Sequence, residues 1–154
     1  LEKVKANLAR KPQGSDRAQV QAIHQNLCDL SLGNSYYFGN MLKDEKQKVW
    51  ADAVYINFPN QNNRGAHVNI SGMAMAKYAP NQSNALALMN FLVSEPAQKM
   101  YAETNMEYPV RPGVEPSKLV KSWGQFKADN LSLETIAQQR KAALILLDKA
   151  QFDL

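Results

Sequence analysis

Apolar residues return along this chain with two different periods. After Ser15 and Asp16, either of which can cap a helix, Val20, Ile23 and Leu27 recur on one helical face. Cys28-Asp29-Leu30-Ser31-Leu32 then alternates apolar and polar, which predicts a half-buried strand. Gly33-Asn34-Ser35 predicts a turn, and the next helix places Phe38, Met41, Leu42 and Val49 inward. Val54–Phe58, closed by Pro59, and Ala66–Ile70, closed by Ser71-Gly72, are β-rich runs flanking the polar turn 60–65. They predict either a hairpin or a strand that crosses between two lobes.

Helical spacing resumes after Asn81-Gln82-Ser83, with Ala85, Leu88, Met89 and Leu92 on one stripe. Ser94-Glu95-Pro96 starts another helix, Ser at the cap and Pro in the first turn, with Ala97, Met100 and Tyr101 as its inner face. Tyr108–Gly113 predicts an extended connector, because each proline pushes its predecessor out of the α region. A last helix is expected from about Ser132, packing Leu133, Ile136, Ala137, Leu144 and Leu147. Helices interleaved with extended runs predict an α/β layer. The chain opens at Leu1–Ala6 already in helical pattern, stopped by Lys11-Pro12 and Gly14, and no leader pattern precedes it. A further segment upstream is therefore expected.

Composition narrows the function more than it identifies it. The 154 residues are 45% hydrophobic and 21% charged, within the range of globular domains. The longest apolar run, Ala142–Leu147, is too short to cross a bilayer as a helix. Lys and Arg total 18 against 14 acidic residues, a mild excess scattered along the chain. Without clustered cations and interleaved aromatics, nucleic-acid binding is not expected. The single cysteine, Cys28, precludes an internal disulfide and a Cys-based zinc site, and its strand parity predicts a buried, inert thiol.

Catalytic patterns are lacking too. His24 and His67 are the only histidines, neither has a partner at metal-ligand spacing, and both are expected to be structural or solvated. No nucleophile elbow, phosphate-binding glycine loop or His-Glu-x-x-His occurs, so no enzyme is expected.

One segment stands apart: Gly33-Asn34-Ser35-Tyr36-Tyr37-Phe38-Gly39-Asn40. It puts two consecutive tyrosines at the start of a helix, on the side of an α/β layer where ligands bind. One ring could simply pack inward while the other caps it with its hydroxyl outward. Alternatively, both phenols could converge on a hard trivalent cation such as ferric iron, which phenolate oxygen suits better than imidazole or thiolate. The helix N-terminus favours anions, and Asn34 and Ser35 offer donors for one.

The stretch Cys28–Tyr37 resembles the tyrosine-dyad segment of bacterial periplasmic ferric-iron-binding proteins, the substrate-binding components of ABC-type iron importers. Phe58-Pro59-Asn60-Gln61, Gly65–Gly72, Phe91–Gln98, Asn105–Val110 and the closing Ala150-Gln151-Phe152-Asp153 resemble them in the same order. The resemblance implies part of a two-lobed, transferrin-like class II periplasmic binding fold, mainly its C-terminal half. It implies that residues 1–66 belong to the C-terminal lobe, that 67–117 return to the N-terminal lobe after a hinge crossing, and that 118–154 close the C-terminal lobe. It further implies Tyr36 and Tyr37 as ligands to Fe3+, Asn34 as an anion contact, and a synergistic carbonate or phosphate. Delivery to an inner-membrane ABC permease from the periplasm is implied as well. Remaining ligands would come from an N-terminal half, and pairing with such a half or homo-oligomerisation is an expected consequence. An oxyanion or other small ligand on the same scaffold, or a non-binding interaction module, is the alternative.

Overall fold

The computed structural model describes residues 1–152. Leu154 and Asp153, the end of the closing motif and of the 118–154 segment, lie outside the described residues. Eight helices follow in chain order among the described residues: α1 (Glu2–Ala6), α2 (Asp16–His24), α3 (Ser35–Lys43), α4 (Lys48–Ala51), α5 (Gln82–Leu92), α6 (Glu95–Asn105), α7 (Lys118–Ser122) and α8 (Leu133–Ala150).

The helix starts follow the caps. Ser132 accepts the Thr135 N–H at 3.2 Å, and Ser94 takes the extended cap conformation ahead of Pro96. Ser15 occupies the cap position of α2, but its hydroxyl makes no capping bond. The long helix expected through Val49 is broken at Asp44, whose Oδ1 accepts the N–H groups of Lys46 at 2.9 Å and Gln47 at 3.0 Å. That local side-chain bond competes with the helix, starts α4 afresh and turns Val49 into solvent.

The predicted strands do not form a sheet. Among the described residues extended pairing is limited to one parallel rung, Ala66 with Ala128, in which Ala66 N–H donates to Lys127 O at 2.9 Å. The run at 28–32 has no strand beside it, and Leu30 and Leu32 are 78% and 86% exposed. Residues 54–58 keep the alternation of a strand, with Val54, Ile56 and Phe58 half-buried and Tyr55 exposed, yet they are unpaired. Period two is a local property, whereas a strand needs a neighbour to satisfy its N–H and C=O groups. The helix layer of the expected α/β architecture is thus present, with one rung of sheet.

The core lies behind α3. Met41, Met106 and Val120 are fully buried, with Ala22, Ala51, Ala97 and Ala102 around them. Phe58 stacks on Phe126 at 4.3 Å between ring centres, and Tyr108 meets Phe126 edge-on at 5.4 Å. Gly39 permits α3 to approach this core: a Cβ there would lie 2.5 Å from Met106 Cγ and 3.0 Å from Trp123 Cη2.

Several inward assignments are corrected. On α6 the buried residues are Ala97, Gln98 and Ala102, so the inner face is rotated and Met100 is exposed. Gln98 Nε2 donates to Leu92 O and its Oε1 accepts Val110 N–H, both at 2.8 Å, tying α5 and the connector to α6. Leu27, Leu88, Leu133, Ala137 and Leu144 are also exposed, and Cys28 is half-buried. Along α8 the apolar face is largely uncovered, because no helix packs along it among the described residues. Lys5 Nζ donates to Ala150 O at 3.0 Å and Gln151 O at 2.7 Å, joining α1 to the end of α8.

Candidate metal centre

Asn34 is the extended residue before α3, so Tyr36 and Tyr37 both fall in its first turn. Consecutive helical residues point about 100° apart, and their side chains need not meet. These do: the ring centres lie 4.5 Å apart with the planes at 40°. Hydrogen bonding with the Tyr37 side chain raises the Tyr36 pKa above the ordinary phenol value, as do desolvation and the nearby Tyr37, Asp16 and Glu107. The two rings therefore share one locality. Both residues are half-buried, neither lost in the core nor splayed into solvent.

The turn that presents them is fixed from α2. Asp16 Oδ1 accepts the backbone N–H of Asn34 at 2.8 Å and the Asn34 Nδ2 at 3.4 Å. A Cβ on Gly33 would meet the same oxygen at 3.2 Å. Arg17, next in sequence, sets its guanidinium 5.8 Å from the centre of the Tyr37 ring. In the sequence Asp16 is visible only as an alternative cap, and Arg17 and Glu107 carry no signal. They are near the tyrosines in space through the α2–α3 packing and the end of α6, which no spacing rule encodes.

Two phenols beside a carboxylate form a set of hard oxygen donors, suited to a hard, highly charged cation. Among the described residues no three His, Cys, Asp or Glu side chains are grouped to hold a metal, so a metal here would depend on the tyrosines. His24 and His67 are exposed.

Residues 20–128 match the family model described as bacterial extracellular solute-binding protein. This chain belongs to that family. It is 45% identical to iron uptake protein A1 of Synechocystis over 94% of its own length and 41% of the relative's. Among solved structures, it superposes on ferric iron-binding protein A of Mannheimia haemolytica in an open conformation with a TM-score of 0.93 and 57% identity. That match covers 99% of this chain and 48% of the Mannheimia protein. A Trichodesmium protein in complex with iron and citrate gives 0.89 and 39% identity, over 95% of this chain and 47% of that one. The solute-binding chain thus spans about half the length of the relatives it matches and has the fold of that half, as the resemblance implied.

Proposed function

We propose that this solute-binding chain carries the tyrosine half of a ferric-iron site and serves iron uptake. Tyr36 and Tyr37 supply phenolate oxygens to Fe3+, and Asn34 is the contact for an accompanying carbonate or phosphate. The observation that carries this reading is the 4.5 Å approach of the two rings at the start of α3. Iron uptake and ferric-binding relatives support the choice of cargo, and the citrate in the Trichodesmium complex supports an accompanying anion. The protein works in the periplasm as a binding component and hands its iron to an inner-membrane ABC permease.

In this reading the donors from Tyr36 and Tyr37 are completed by donors from an N-terminal half. Residues 1–66 and 118–154 form one lobe, which the Lys5 bonds to Ala150 and Gln151 support. Residues 67–117 return to the other. The exposed Leu30, Leu32, Tyr55 and the outer face of α8 are covered by that other half or, failing it, by a second copy.

Adding ferric iron and bicarbonate to the chain fused to the uncovered half of the Mannheimia protein should give a visible phenolate-to-iron absorption band. Tyr36→Phe with Tyr37→Phe should abolish it, and a band that persists in the double variant would refute the assignment.

A further inference from the structure

Asn34 stands where a helix is ordinarily capped, and it does not cap. It has the extended backbone of a cap residue (φ −82°, ψ 132°) immediately before α3. Asparagine is preferred there because its side-chain oxygen can accept an N–H of the first turn. Here the side chain makes no such bond. Tyr37 N–H donates back to Asn34 O at 3.2 Å, while the N–H groups of Ser35 and Tyr36 have no partner among the described residues.

The cause lies 18 positions earlier, in the first residue of α2. Asp16 Oδ1 accepts the Asn34 backbone N–H at 2.8 Å, and Nδ2 of the side chain turns toward the same oxygen in a long contact of 3.4 Å. A carboxylate only accepts, so it draws the NH2 end of the amide and not the carbonyl end. The second N–H of that amide has no partner among the described residues. Gly33 leaves room for the carboxylate, since a Cβ there would lie 3.2 Å from Asp16 Oδ1. Three donors are thereby kept open at the start of α3: one amide N–H of Asn34 and the N–H groups of Ser35 and Tyr36. Open donors at a helix start suit an anion.

We propose that Asp16 is a positioning residue that diverts Asn34 from capping α3, and so keeps these donors open for the anion that accompanies the metal. What Asp16 contributes is the placement of Asn34, against the repulsion of its own charge. Without it the amide carbonyl is free to swing onto Tyr36 N–H and close the anion's place from within. The inference rests on the ferric-iron reading of the site, with Asn34 as the anion contact.

Asp16→Ala removes both the acceptor and the charge, whereas Asp16→Asn removes the charge and keeps an oxygen for the Asn34 N–H. Charge alone predicts tighter anion binding in both variants, because a repelling carboxylate has gone. Placement predicts that the two part ways. Iron affinity of the chain, and of its fusion to the uncovered half of the Mannheimia protein, is measured by chelator competition without and with bicarbonate or inorganic phosphate. The gain from the anion should be about 10-fold or more in wild type and Asp16→Asn, and under about 3-fold in Asp16→Ala. Solvent exchange of the Tyr36 amide, followed by NMR on the metal-free chain, should slow by about 5-fold or more in Asp16→Ala and stay within about 2-fold in Asp16→Asn. A loosened turn or an unfolded chain would speed that exchange instead, and faster or unchanged exchange in Asp16→Ala overturns the proposal. An equal anion response in the two variants overturns it as well. If wild type gives no phenolate–iron band with any anion, the ferric-iron reading fails, and the metal-free exchange still decides whether Asp16 diverts Asn34.

Discussion

Met106 closes over Gly39 so tightly that the helix bearing the tyrosine pair has no room for a methyl group: an added Cβ would lie 2.5 Å from Met106 Cγ. Met106 is itself 1% exposed and held in the left-handed conformation (φ 61°) that ends α6. The position of α3, and with it of Tyr36 and Tyr37, is thus set by a contact between a backbone and a buried thioether.

Gly39→Ala should therefore destabilise the protein by about 1–3 kcal/mol, the usual range for overpacking a filled core. Urea unfolding followed by Trp fluorescence measures it, with Trp123 at the same contact as a local reporter. An unchanged midpoint would mean that α3 slides freely over Met106.

Iron binding should expel protons. Tyr36 is held above the ordinary phenol value, so its hydroxyl is protonated at neutral pH and must ionise to ligate. With both phenols involved, apparent affinity rises with pH by up to about 100-fold per unit once ferric hydrolysis is corrected for. Chelator-competition titrations at several pH values give the slope, and a flat profile would place the ion elsewhere.

Single changes at the pair should each weaken iron binding without harming the fold. Tyr36→Phe removes one hydroxyl, but both residues are half-buried and Phe keeps the ring contact. The expected outcome is loss of at least about 10-fold in ferric affinity with a thermal midpoint shifted by only a few degrees. Loss of affinity accompanied by collapse of the melting transition would make the rings packing elements.

Gln98 is a buried amide whose two ends are both used, one on Leu92 O and the other on Val110 N–H. Gln98→Leu should cost about 1–3 kcal/mol by leaving those backbone groups without partners. Gln98→Glu offers an acceptor to Val110 but no donor to Leu92, so at neutral pH it should recover part of the loss. Denaturant midpoints of the three proteins give the order.

What was legible in the sequence is what neighbouring residues decide among themselves. Ser132 and Ser94 mark helix starts because a cap involves only the next few residues, and the tyrosine pair is visible because both members are adjacent. The strands at 28–32 and 66–70 were not, since their formation depends on a neighbour that alternation cannot supply. An apolar side chain predicts Met100 inward, but α6 turns Gln98 inward instead, where the Leu92 carbonyl and the Val110 N–H, both outside α6, satisfy it. Asp16 was visible only as a cap: nothing local reveals a bond to a residue 18 positions on.

The rung between Ala66 and Ala128 has a kinetic consequence. It is braced by Gln61, which both donates to and accepts from Lys127 across 66 positions, so forming it closes a long loop before any local contact rewards the closure. Such a joint is expected to set late during folding and to part early under load. Deuterium uptake at the amides of Ala66 and Asp129 would then clock the separation of the two segments while the helices around Met41 remain protected.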